Sequence, residues 1–252
     1  MKHIRRGVVG LFILLLIGGA LTSPQTSDIM FLRRYGEMLF LWVAAAVIAL
    51  FPHRVLAQLL LAALIGFASE IIGVRYGVPY GAYHYTPTLG ASVAGVPLAM
   101  VAAWFVLLSY AWRRASELTR SLWTARLLAA LLMVAFDLLI DPVAIGPMKL
   151  WVWQESGPYY GVPLVNFLGW FAVSYVSLLF VRAPLLSGYR AAHLVGVMVL
   201  TFFVVIALRN GLLAAASVGA VLIGVDVLCS RRCWQQYFAA AVERVELLLR
   251  LR

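Results

Sequence analysis

Long apolar runs broken by short polar turns organise this chain. Eight runs approach the roughly 20 residues needed to cross a bilayer: Val8–Thr22, Tyr35–Phe51, Val55–Ile72, Pro97–Trp112, Leu122–Ile140, Val162–Val181, Ala191–Leu208 and Leu212–Cys229. Lipid offers no hydrogen bonds to bare backbone, so such runs must be helices or strands of a closed barrel. They lack two-residue alternation, which selects helices. The predicted fold is an all-α integral membrane protein of about eight transmembrane helices. Residues 1–233 read as one membrane domain without a polar linker. In the tail, 234–252, Val242, Val245, Leu248 and Leu249 recur at helical spacing opposite Glu243, Arg244 and Arg250, predicting an amphipathic helix on the membrane surface or docked on the bundle.

Composition strengthens this reading. Apolar residues make up 64% of the 252 and charged residues 12%, against roughly half and a quarter in soluble domains. The formal charge of +10 suggests nucleic acid until the basic residues are placed on the topology. With the N-terminus inside, 15 of the 20 Lys and Arg fall on cytoplasmic segments and 5 (Arg33, Arg34, Arg75, Lys149, Arg209) on outer ones. That bias orients membrane proteins. It predicts a multi-pass protein of the cell membrane with both termini cytoplasmic, anionic lipid as the partner of the basic ends, and no nucleic acid. Lys2, Arg5 and Arg6 before a short apolar core also fit a cleaved signal peptide. No A-x-A site precedes Pro24, so a retained first helix is the reading taken. Cys229 and Cys233 lie at the reducing end of the last span, where free thiols are expected.

An internal repeat is more informative. Gly95-Val96-Pro97-Leu98 with Trp104-Phe105 recurs as Gly161-Val162-Pro163-Leu164 with Trp170-Phe171. Glu70 precedes the first copy and Asp137 the second, and between acid and GVPL stand Tyr83-His84-Tyr85 and Trp151-Val152-Trp153. The copies, about 55–112 and 122–181, predict a parallel repeat. Two aromatic loops on the outer side would then enclose one pocket. Pro97 and Pro163 suit the first turn of the helices they open.

Ionisable groups inside spans are expensive and are functional candidates by default. Glu70 lies near the end of the third span. Asp137 and Asp141 share one face of the fifth, and Pro142 discourages helix beyond Asp141. Crowded and dehydrated carboxyls favour keeping a proton among them, which suits acid catalysis. Ion pairing with Arg75 and Lys149 is the structural alternative. Of the aromatic set, Tyr83, Tyr85, Trp104, Trp151, Trp153 and Trp170 are candidates for sheltering a carbocation, although an interfacial belt accounts for such residues too. His84 could partner a carboxyl, Arg75 sits beside the motif, and Asn166 is an amide that could position water or bridge helices. Asp226 in the last span reads as isolated. Phosphate-cradling, dinucleotide, HExxH and Asp-rich diphosphate motifs are missing. What remains fits cofactor-free acid–base chemistry with no metal.

The segments Ser69–Gly77, Tyr80–Tyr85, Asp137–Pro142, Trp151–Trp153 and Tyr160–Trp170 resemble the membrane-bound carotenoid biosynthesis family. That family includes bacterial carotenoid 1,2-hydratases and the archaeal bisanhydrobacterioruberin hydratase. The resemblance spans Glu70–Trp170. It implies a hydro-lyase that adds water across the terminal 1,2 double bond of an acyclic carotenoid or related isoprenoid, in contact with other carotenoid enzymes. Placement and charge, not the resemblance, make Glu70 or Asp137 the candidate acid, with the other carboxyl or Asp141 holding the water and accepting its proton. Two readings compete: an isoprenoid cyclase or isomerase using the same acid without water, and a non-enzymatic lipid transporter or scaffold.

Overall fold

The computed structural model describes residues 2–21, 30–51, 53–185 and 190–229. Eight α-helices account for most of them: α1 (Lys2–Leu21), α2 (Met30–Ala49), α3 (Leu56–Tyr76), α4 (Ala99–Leu118), α5 (Leu122–Ile145), α6 (Leu164–Leu178), α7 (Arg190–Arg209) and α8 (Leu213–Cys229). Each matches one apolar run. The protein is an all-α membrane protein: α1, α3, α5 and α7 are long and apolar enough to cross a bilayer, and α6, α8 and much of α2 are shorter apolar helices. The proposed tail helix and Cys233 lie outside the described residues, and Cys229 is a free, exposed cysteine.

The hub is α4, which packs against α2, α3, α5 and α7. Fifteen of its twenty residues are buried, so protein rather than lipid surrounds it and it tolerates Arg113 and Arg114. Peripheral α1 packs on α2 and α7, with Phe12 stacked on Phe40 at 5.5 Å. Local chemistry sets several helix ends. Gly77 takes a left-handed φ of 73° and closes α3, its N–H donating to Gly73 O. Ser121 Oγ caps α5. Buried Arg126 supplies donors for carbonyls at the end of α6 and just beyond it, reaching Leu178 O at 3.1 Å and Val181 O at 3.0 Å.

Two sequence expectations about proline fail. Pro142 does not end α5, which continues to Ile145. Its missing N–H orphans Leu138 O, and Tyr159 Oη donates to that carbonyl at 2.8 Å instead. Pro97 and Pro163 do not sit inside first turns. Pro97 belongs to a two-residue strand, and Pro163, with an extended ψ of 137°, is the residue before α6. The ring fixes φ near the helical value, but ψ stays free to hold the chain extended.

The aromatic segments meet each other. β1 (Tyr83–Tyr85) pairs antiparallel with β4 (Trp151–Trp153), placing Tyr83 opposite Trp153 and Tyr85 opposite Trp151. Thr86 N to Leu150 O and Gln154 N to Ala82 O extend this ribbon. A smaller hairpin pairs β2 (Ser92–Val93) with β3 (Val96–Pro97). The 15 residues of α6 rise only about 22 Å, less than the ~30 Å hydrocarbon core. Much of the fifth-to-sixth connection is thus spent on the ribbon rather than on helix.

Candidate functional site

Beneath the ribbon, three carboxyls converge from two helices. Glu70, Asp137 and Asp141 are all buried. None pairs with Arg75 or Lys149; aromatic and amide donors answer them instead. Glu70 Oε1 accepts from Trp104 Nε1 at 3.1 Å, and its Oε2 accepts from Tyr85 Oη at 3.0 Å and from Tyr83 Oη at closer range. Asp141 Oδ1 accepts from Trp151 Nε1 at 2.9 Å and more weakly from Trp153 Nε1 at 3.4 Å. Asn166 Nδ2 donates to Asp137 Oδ2 at 2.6 Å and to Asp141 Oδ2 at 2.8 Å. Asp137 Oδ1 is buried with no hydrogen-bond partner among the described residues.

Strand geometry explains the donors. Alternate side chains of a strand face opposite sides, so Tyr83 and Tyr85, like Trp151 and Trp153, point down to the carboxyls. Between them His84 and Val152 point out and are exposed. Burial and the neighbouring Glu70 carboxyl hold the phenols of Tyr83 and Tyr85 above the ordinary tyrosine range, so both remain donors.

The helices are cut to fit the rings. At Gly66 an added Cβ would stand 2.4 Å from the indole of Trp104, which reaches Glu70 only because that space is open. Trp104 stacks on Trp170 with centroids 4.6 Å apart and 12° between planes. The ring of Tyr80 fills a slot between Gly73 on α3 and Gly169 on α6, where a Cβ would fall 2.8 and 2.7 Å from it. Tyr80 Oη and Ser69 Oγ are hydrogen-bonded at 2.6 Å.

These side chains surround part of a cavity of about 20 Å³. Glu70, Asp141 and Asn166 form its polar wall; Tyr80, Tyr83, Tyr85, Met100, Trp151, Trp153 and Trp170 form the rest. One water needs some 10–15 Å³, whereas small-molecule pockets run from about 300 Å³. The space suits a single water.

Most of the residues expected from sequence are brought together here, with four exceptions. Trp104 stands behind the wall, hydrogen-bonded to Glu70 and stacked on Trp170. Asp137 does not line the cavity but stands one hydrogen bond behind it, across Asn166. Arg75 is exposed, its guanidinium 5.4 Å from the ring of Tyr76. His84 is exposed on the far side of the ribbon. Sequence reasoning counted Tyr80 in the aromatic set without assigning it to the site, and left out Met100. The glycines at 73 and 169 were the available signal for a bulky ring near Tyr80, and nothing local marks Met100.

Asp226 is not isolated. It accepts from Tyr110 Oη at 2.9 Å and pairs with Arg114 Nε at 2.9 Å and His193 Nε2 at 2.7 Å. This cluster ties α4, α7 and α8 together. None of its residues lines the cavity.

A family model described as "Carotenoid biosynthesis protein" matches residues 35–226. Bisanhydrobacterioruberin hydratase of Haloarcula japonica is 32% identical over 171 residues, covering 64% of this chain. The aligned region spans 56% of that relative's length. No solved structure matches the chain.

Proposed function

The chain belongs to the carotenoid biosynthesis protein family, and we propose that its reaction is acid-catalysed hydration of the terminal 1,2 double bond of an acyclic carotenoid or related isoprenoid. One observation carries this reading: two carboxyls from different helices, Glu70 and Asp141, face a one-water cavity walled by aromatic rings.

Asp137 and Asp141 flank the same amide group of Asn166. Like charges so close are relieved when the pair keeps one proton. Asp141, the member at the cavity, delivers that proton to C2 of the terminal double bond, and the π electrons form the new C–H bond. A tertiary cation is left at C1. The faces of Trp170 and the ribbon aromatics stabilise it. Water held by Glu70 attacks C1 with a lone pair and gives up a proton to the Glu70 carboxylate, leaving a tertiary alcohol. Return of that proton to Asp141 through the next water restores the start, and the net change is one water added. The three donors Trp104, Tyr83 and Tyr85 hold the Glu70 carboxyl in one orientation at the cavity wall, which suits the accepting role. Unbranched Met100 is the wall residue best able to yield to the substrate.

On this reading the enzyme is a hydro-lyase that draws its polyene from the bilayer, needs no cofactor and works beside other carotenoid enzymes. Its basic helix ends face the cytoplasm and its cavity the outer side. The test is expression in a host that accumulates acyclic carotenoids, followed by pigment chromatography with mass detection. A product one water heavier is expected. A product of unchanged mass would replace hydration by cyclisation or isomerisation, and unaltered pigment would remove the enzymatic reading.

A further inference from the structure

The carbonyl of Leu138 lies in the turn that joins Asp137 to Asp141. In an uninterrupted helix it would accept from the N–H of residue 142, which proline lacks. A helix missing that bond is free to bend at the turn, and bending would swing Asp141 relative to Asp137. Here the gap is closed from outside by Tyr159 Oη, 2.8 Å from Leu138 O.

The phenol is delivered by a rigid device. Residues 157–162 form a hairpin in which Gly157 pairs with Gly161 and Tyr159 with Val162. Val162 N donates to Tyr159 O at 2.9 Å. Tyr160 and Gly161 both take positive φ, 54° and 91°, as a tight two-residue hairpin turn requires. The hairpin is held at two further points: Tyr160 Oη accepts from Ala214 N at the start of α8, 3.0 Å away, and the ring of Tyr159 lies edge-on to Phe167 of α6. Burial, with Tyr160 and Asp137 nearby, pushes the Tyr159 phenol up to about 12, so it remains a donor throughout the physiological range.

We infer that Tyr159 is a positioning residue that, by closing the proline gap in α5, holds Asp137 and Asp141 in one helical register around Asn166. The inference rests on the hydration reading for its catalytic consequence and on the hydrogen bond alone for its structural one.

A double-mutant cycle separates the two. Pro142→Ala restores a backbone N–H able to reach Leu138 O, making the phenol redundant. Hydration kinetics and thermal unfolding in detergent are compared for wild type, Tyr159→Phe, Pro142→Ala and the double variant. Tyr159→Phe is expected to lower kcat about tenfold and to change KM by less than about twofold, as loss of one partly buried hydrogen bond at a positioned acid implies. In the Pro142→Ala background the same substitution is expected to cost less than about twofold. An equal kcat loss in both backgrounds, or a loss confined to KM, overturns the inference. If wild type forms no hydrated product, the hydration reading fails by itself. The cycle is then read in melting temperature, where Tyr159→Phe must destabilise the proline-bearing protein more than the alanine-bearing one. Equal shifts there overturn the assignment of Tyr159.

Discussion

Glu70→Gln separates chemistry from architecture at this site. The substitution keeps volume and shape. The new amide oxygen can accept from Trp104 Nε1, which has no other role available, while the amide nitrogen donates to Tyr83 and Tyr85, whose hydroxyls rotate to accept. Three hydrogen bonds now made to a carboxyl become three neutral ones. Charge-assisted bonds are about twice as strong as neutral ones, so the stability cost should be about 1–2 kcal/mol. Glutamine cannot take a proton from water. Loss of a positioned general base typically costs about 10²–10⁴ in rate, or roughly 2.7–5.4 kcal/mol of barrier. Glu70→Leu should do the reverse to the fold: it strands one indole N–H and two phenols, each buried donor costing about 1–3 kcal/mol. The assay measures hydrated carotenoid by chromatography with mass detection, normalised to folded protein in membranes. Glu70→Gln should retain most of the protein and less than about a hundredth of the product. If it makes more than about a tenth of the wild-type product, or if product falls only in step with folded protein, Glu70 does not handle a proton.

Asn166→Ala removes two hydrogen bonds to buried carboxyls at 2.6 and 2.8 Å. A loss of about 3–6 kcal/mol is expected, seen as a lower melting temperature together with absent hydration; an unchanged melting temperature would refute the clamp. Asp226→Ala leaves buried His193 and Arg114 without their shared partner and should destabilise by about 3 kcal/mol, measured by thermal unfolding in detergent. Arg75→Ala and His84→Ala alter exposed side chains that do not line the cavity. Both should keep at least about half the hydrated product, surface changes being nearly neutral, and loss of product by either would return that residue to the site.

The helices were legible because lipid leaves the chain so little choice. A run of apolar residues long enough to cross must satisfy its own backbone, so length and hydropathy locate each helix, with ends off by as many as six residues, as at the start of α1 and the end of α4. The carboxyls were legible for a related reason, since an acid inside a span is costly enough to need a use. Partner assignments were harder because they depend on contacts across 66 residues of sequence, such as Tyr85 with Trp151. Proximity in the chain put Arg75 and His84 with the acids, whereas pairing of the two triplets decides which side chains turn inward. Once Tyr83–Tyr85 is known to be a strand, His84 between two inward tyrosines can only point outward, so the two-residue period held the correction.

Pro142 and Asp226 show a different limit. The rule that proline breaks a helix is a statement about a missing donor, and it loses force when Tyr159 donates from 21 residues away. Asp226 looked isolated because Tyr110, Arg114 and His193 come from two other helices with no local mark on the chain. In both cases a buried polar group demands a partner, but sequence does not say which one. The same demand gives the strongest argument for chemistry at the cavity. A fold needing only stability could have filled this space with apolar side chains, at little or no energetic loss. Instead it aims three indole N–H groups, two phenols and an amide at three carboxyls. Such a set fixes each carboxyl in place, and the space left at its centre suits a single water.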